Sequence, residues 1–151
     1  MLTLIRTTSD NEDFQMLVKQ LDSDLKIRDG DEHDFYHQFN KIDRIKHVVV
    51  AYEHDESVGC GAMKQYEDDS MEVKRMFVPA QHRGKGIATQ ILTALESWAK
   101  ELSFKKCVLE TGKKQPEAIA LYLKNGYKII PNYGQYEGVE NSVCFEKMMV
   151  D

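Results

Sequence analysis

The 151-residue sequence predicts an α+β fold, a single domain with about seven strands and about four helices. Three observations carry this reading. Residues 47–78 contain three runs rich in apolar and β-branched residues joined by short polar turns, the mark of an antiparallel meander. Residues 84–130 change rhythm: a glycine-bearing loop opens a long amphipathic helix, then a strand and a further helix follow. No repeat, linker or low-complexity tract interrupts the chain.

The elements follow in order. Residues 1–7 alternate as an opening strand, and Ser9 or Asp10 is placed to cap a helix by accepting bonds from its first amides. Phe14, Leu17, Val18, Leu21 and Leu25 recur at helical spacing and are expected to face the core. An acidic break over 29–34 precedes a second, short helix over 35–45. Strands are expected over 47–52, 58–65 and 71–78, the last stopped by Pro79. The long helix that follows carries a stripe of Ile87, Ile91, Leu92, Leu95, Trp98, Ala99 and Leu102. A strand over 106–110 leads to a helix starting at Pro116, suited to a first helical position, and ending at Asn125-Gly126, where glycine closes a helix in the left-handed conformation. Strands over 127–130 and 142–148 complete the chain.

Composition narrows the function classes. A hydrophobic fraction of 42%, a charged fraction of 30% and a net charge of −5 describe a soluble protein and argue against a general nucleic-acid binder, which carries a basic surface. No apolar run approaches the ~20 residues of a membrane span. Residues 1–6 are too short and too soon interrupted for a secretion signal, so the expected location is cytoplasmic. Cys60, Cys107 and Cys144 are odd in number, far apart and inside expected strands, which favours buried reduced thiols over a zinc site or a reactive cysteine. His33 and His37 lie four apart without a third ligand, so no metal is expected; His54 and His82 read as surface residues.

The most informative stretch is 71–88, MEVKRMFVPAQHRGKGIA. A strand delivers the chain to glycines 84 and 86, where a helix begins. First-turn amides and a partial positive charge make such a helix start an anion site, and glycines let a phosphate approach the backbone. Arg83 and Lys85 add positive charge. A P-loop is excluded because Lys85 is followed by Gly86 rather than Ser or Thr, and a dinucleotide fingerprint because the third glycine is missing. A plain turn remains the alternative for the loop taken alone.

The pattern Gln81-x-x-Gly84-x-Gly86 resembles the GCN5-related N-acetyltransferase (GNAT) family, and the resemblance extends past the loop. The strand from Glu72 is similar to that family's fourth strand, and that from Lys106 to its fifth. Gln115-Pro-Glu-Ala-Ile-Ala-Leu-Tyr122 followed by Asn-Gly-Tyr127 is similar to its final helix and sixth strand. The close match covers about residues 70–130, with element order covering the rest. The resemblance implies a GNAT-like fold on a mixed central sheet, with acetyl-CoA as co-substrate. Backbone amides of His82, Arg83, Gly84, Lys85, Gly86, Ile87 and Ala88 would hold the pyrophosphate, after Gln81. Met76 and Val78 would offer strand-edge groups to the pantetheine arm, and the Met76 amide would steady the thioester oxygen. Gln115 stands where many members have asparagine, its longer amide reaching the same cofactor.

Acetyl transfer needs an unprotonated amine, a stabilised oxyanion and a proton for the departing thiolate. Tyr122 is the candidate acid: a phenol with a pKa near ~10 stays protonated at neutral pH. In the family pattern it sits beside the coenzyme sulfur; packing helix to sheet is its alternative reading. Glu72 matches the glutamate base of the histone-acetylating members, against a solvated carboxylate or a partner for Lys74. Tyr133 and Tyr136, on the loop between the last two strands, would either wall the acceptor pocket or shield the sheet edge. The expected reaction is acetylation of a primary amine on a small metabolite or amino-acid-like molecule. A protein N-terminus or lysine as acceptor, and a non-catalytic acyl-CoA-binding module, are the alternatives. The resemblance is also compatible with a homodimer.

Overall fold

A computed structural model describes residues 1–29 and 44–149. The helix expected over 35–45 falls almost wholly outside the described residues, as do His33 and His37; Arg44 and Ile45 are not helical. The described elements run β1 (Leu2–Thr7), α1 (Glu12–Asp29), β2 (His47–Glu53), β3 (Glu56–Glu67), β4 (Ser70–Phe77), α2 (Ile87–Glu101), β5 (Lys106–Gly112), α3 (Pro116–Lys124), β6 (Lys128–Ile130) and β7 (Ser142–Met148). The fold is α+β, as the sequence predicts. Seven strands form one mixed sheet in the order β1-β2-β3-β4-β5-β7-β6, in which only β4 and β5 pair in parallel.

β2 explains the layering. Its run Val48–Ala51 is buried on both faces, so alternate residues feed two cores. Val48 and Val50 join Cys60 and Ala62 against Phe14, Leu17 and Val18 of α1. Val49 and Ala51 join Met63, Met71 and Val73 against Ile91, Leu92, Leu95 and Ala99 of α2, with α3 packed beside it. α2 sits close to the sheet because β3 has no side chain at Gly61: a Cβ there would lie 2.5 Å from Met76 Sδ and 2.9 Å from Ile91.

Four details differ from the sequence reading. Asn11, not Ser9 or Asp10, caps α1, its Oδ1 accepting from the Phe14 amide at 2.9 Å. Ser9 Oγ instead accepts from the Ile45 amide at 2.9 Å. Leu21 and Leu25 are half-buried, because the α1 face beyond Val18 looks over an open cleft rather than a packed sheet. α2 ends at Glu101, leaving Leu102 42% exposed, and Trp98 is only half-buried. Glu96 lies on the buried face instead, accepting from Tyr127 Oη and Lys147 Nζ, both at 2.9 Å.

All three cysteines are buried and unpaired. Burial pushes the thiols of Cys60 and Cys107 up to about 12 and that of Cys144 to about 11, so they stay protonated and unreactive at neutral pH. Among the described residues no helix is long and apolar enough to cross a membrane, and no group of three His, Cys, Asp or Glu side chains is placed to hold a metal ion.

Candidate active site

The site originates in the pairing of β4. On one side, β4 is in register with β3 at Val73↔Met63 and Lys74↔Ala62, then at Phe77↔Cys60. Between these pairs two residues of β4, Arg75 and Met76, therefore oppose one of β3, Gly61, a β-bulge. Arg75 sits in it with a left-handed φ of 59°, a conformation non-glycine residues seldom adopt. On the other side, β4 pairs with β5 only at Ser70, Met71 and Glu72. Beyond Glu72 and Val108 the two strands separate, and among the described residues the edge of β4 from Val73 to Phe77 has no strand partner.

Two connected cavities fill the gap. One, of about 350 Å³, is bordered by Met76, Phe77, Val78, Gly84 and Ala88 on one wall and by α3 on the other. The second, of about 100 Å³, lies on the α1 side of the sheet among Glu72, Lys74, Arg75, Glu110 and Tyr136. Leu21, Leu25, Met76, Gln115, Ala118 and Tyr122 belong to both. Tyr122 is thus on the common wall, only 6% exposed, packed near Tyr127 and Phe145. Burial raises its phenol well above the usual range, with the Glu110 carboxylate adding to the rise.

The glycine loop forms as a 3-10 turn over Ala80–His82 and two left-handed glycines, Gly84 (φ 82°) and Gly86 (φ 77°), the latter capping α2. A Cβ at either glycine would meet nothing within 4 Å, so open space lies before the backbone. The expectation for the amides needs correction at two positions. His82 and Arg83 N–H donate to Pro79 O (2.9 Å) and Ala80 O (3.3 Å), so the turn itself consumes them. The first amide of α2 bonded back is Gln90, to Gly86 O at 3.1 Å, which leaves the preceding first-turn amides facing outward. That arrangement, with Lys85 and Arg83 nearby, suits a pyrophosphate.

The other expected residues fall as follows. Gln81 is exposed on the turn, and Ile87 is buried in the core, able to contribute only its backbone. Val78 O accepts from Arg83 Nε at 2.8 Å, which uses one of that carbonyl's two acceptor positions. Arg83 also reaches Asp24 at 3.3 Å. His82 is half-buried rather than on the surface, its Nε2 2.9 Å from Glu56. Gln115 stands at the N-cap position of α3, on both cavities.

In the small cavity, Glu72 is buried and its Oε2 accepts from Tyr133 Oη at 2.6 Å, while Lys74 Nζ lies 3.6 Å from Oε1. Tyr136 lines the small cavity, but Tyr133 does not. Tyr133 lies behind Glu72, between the rings of Tyr66 (4.9 Å) and Tyr136 (5.8 Å), and holds the carboxylate rather than walling the pocket.

The sequence reading missed Arg75, Glu110 and Tyr66. Glu110 lines the small cavity and accepts from Ser142 Oγ at 2.7 Å. Arg75 had a legible signal. Val73 and Met76 both face the α2 core, three residues apart instead of two, and such a slip in alternation marks a bulge.

A sheet whose adjacent parallel strands part beside a glycine-capped helix offers an open backbone edge next to a helix start suited to phosphate, the build of a protein that takes a long, phosphate-bearing ligand. The chain belongs to the acetyltransferase (GNAT) family, whose model matches residues 14–127, and its reaction is acetyl transfer from acetyl-CoA. It is 33% identical over 101 residues to an uncharacterised N-acetyltransferase, YsnE, of Bacillus subtilis (strain 168), covering 66% of this chain and 67% of that one. A Klebsiella pneumoniae chain assigned to the acyl-CoA N-acyltransferases superposes with a TM-score of 0.82 at 28% identity, over 99% of both chains. A GNAT acetyltransferase from Elizabethkingia anophelis, solved with acetyl-CoA bound, shares the fold with a TM-score of 0.68 at 19% identity over 97% of each chain.

Proposed function

We propose that the chain acetylates the primary amine of a small or amino-acid-like molecule by direct attack of that amine on the thioester. The observation that carries this reading is the position of Tyr122 on the wall shared by the two cavities, which Met76 also lines beside the gap between β4 and β5. The larger cavity, running from the glycine loop to Met76, suits the coenzyme, and the smaller suits the acceptor.

In this scheme the outward amides at the start of α2 hold the pyrophosphate. The unpaired edge of β4 takes the amide groups of the pantetheine arm in place of a neighbouring strand. The Met76 N–H donates to the thioester oxygen as negative charge develops there. Glu72 accepts the proton that the acceptor ammonium must lose, directly or through water, and Tyr133 keeps the carboxylate turned toward the cavity. As the carbon–sulfur bond breaks, Tyr122 donates its proton to the leaving thiolate, and the second proton, shed by the nitrogen as it becomes an amide, restores the phenol. Burial weakens Tyr122 as an acid, but the same dry surroundings destabilise the thiolate, so the transfer stays matched.

The test is Tyr122→Phe. It should bind acetyl-CoA as the parent does and lose about 10²-fold or more in kcat. Unchanged turnover would remove Tyr122 from the chemistry. Screening free amines beside short peptides, with detection of the released thiol, decides the acceptor; turnover confined to peptides would replace the small-molecule reading.

A further inference from the structure

Arg75 is the least satisfied charged group among the described residues. It is 6% exposed, with its side chain 2% exposed, and it lines the small cavity together with Glu72, Glu110 and Tyr136. Its Nη1 donates to Asp22 Oδ1 of α1 at 3.0 Å, whereas Nε and Nη2 are buried without a hydrogen-bond partner. Those two nitrogens share one edge of the planar guanidinium and carry parallel N–H bonds. That is the edge a carboxylate grips with both oxygens. Native proteins seldom leave a buried charged donor unmet, and such groups coincide with places where a ligand completes the set. Burial also lowers the guanidinium pKa, opposed by Asp22, which agrees with incomplete compensation of its charge.

The backbone adds a second, independent sign. Arg75 holds φ 59° within the bulge of β4, a costly conformation for a side chain of this size, and without the bulge the residue would point toward the α2 core instead. The bulge puts Lys74 and Arg75 consecutively on the cavity side, beyond Glu72.

Resting on the reading of the small cavity as the acceptor site, we infer that the acceptor carries a carboxylate as well as its amine, and that Arg75 turns its free edge, covered by protein in this structure, to receive it. The acceptor class is then an amino acid or a related amino carboxylate. Its ammonium meets the Glu72 side of the cavity while its carboxylate completes the guanidinium. Arg75 is in this role a specificity-determining residue and takes no part in proton transfer.

The experiment compares matched primary amines with and without the carboxylate. Phenylalanine is set against phenethylamine, histidine against histamine, lysine against cadaverine and 4-aminobutyrate against butylamine. Rates are expressed per unprotonated amine, because the carboxylate also changes the amine pKa. In at least one pair the amino acid should be favoured by about 10- to 100-fold in kcat/KM, carried by KM, the worth of a charge-assisted bidentate contact. In Arg75→Gln that ratio should fall to near unity, and in Arg75→Lys, which keeps the charge but not the fork, to an intermediate value. Equal use of both members of every pair by the parent protein overturns the inference, as does a ratio that survives in Arg75→Gln. Melting curves identify a variant that does not fold; the parent panel and Arg75→Lys then decide. Turnover of no amine of either kind overturns the small-amine reading together with this inference, whereas turnover without preference overturns the inference alone.

Discussion

Gly84→Ala tests the cofactor cradle with the least disturbance. Gly84 has φ 82°, and a Cβ there would meet no heavy atom within 4 Å, so the methyl group clashes with nothing in the protein. The intrinsic cost is that of an L-residue in the left-handed region, about 1–2 kcal/mol. Gly138 supplies the control: φ 76°, equally open, and on the β6–β7 loop. Gly138→Ala should suffer the same strain, so both variants should lose roughly 2–8 °C in melting temperature, at about 2–4 °C per kcal/mol for a chain of this size. Only Gly84 faces the proposed pyrophosphate position. There the methyl group holds the ligand away from the loop amides, and weakening by tenfold or more corresponds to about 1.4 kcal/mol. Calorimetric titration with CoA, paired with melting curves, separates the two effects. If Gly84→Ala and Gly138→Ala lose the same stability and both bind CoA like the parent, the open space before Gly84 is not the phosphate site. The mechanism built on it then loses its anchor.

Three further outcomes follow from the geometry. Tyr133→Phe removes the 2.6 Å bond to Glu72 and should lower kcat about tenfold without changing the KM for acetyl-CoA. Combined with Glu72→Gln it should cost no more than Glu72→Gln alone, and additive losses in that cycle would separate Tyr133 from the carboxylate. The buried thiols predict alkaline destabilisation. Their folded pKa values lie above the ordinary 9.0, at about 12 for Cys60 and Cys107 and about 11 for Cys144. Their contribution is therefore complete below pH 9 and is lost as pH rises toward the folded values, because the unfolded chain ionises first. Each thiol adds a slope of about 1.4 kcal/mol per pH unit in that window. Denaturant titrations of Cys60→Ala between about pH 10 and 11 should show the slope reduced by one such share, and an unchanged slope refutes the assignment.

Most of the fold is legible because it rests on periodicity. The β-branched run of β2, the stripe of α2 and the Pro116 and Gly126 punctuation of α3 are local signals, and the structure places them close to where the residues indicate. The glycine loop is legible for the same reason: unusual backbone needs unusual residues. The acceptor side resists reading because its members come from distant elements and resemble ordinary surface residues. Glu110 reads as one more strand carboxylate, and Tyr133 as a loop aromatic. That Tyr133 reaches Glu72, sixty-one positions away, follows only from the order β4-β5-β7, which lays the β6–β7 loop over β4. The caps fail for a related reason. Ser9, Asp10 and Asn11 are all competent to start α1, and the choice fell to Asn11 because Ser9 is drawn away to the Ile45 amide.

The bulge in β4 connects the fold to the chemistry. A regular strand would alternate its side chains and keep its hydrogen bonds to β3 while β5 ran alongside to the end. One extra residue between Lys74 and Phe77 bends the strand and increases its twist locally. β5, tied to β7 along its whole length from Lys106 to Gly112, does not follow the bend. Pairing between β4 and β5 consequently ends at Glu72, and the backbone beyond it becomes available to a ligand. The insertion also re-aims side chains. Met76 turns into the α2 core beneath Gly61, so in the proposed mechanism its backbone rather than its side chain would meet the thioester, while Arg75 turns to the small cavity. One local irregularity thus accompanies the opening of the cleft and the separation of its two cavities.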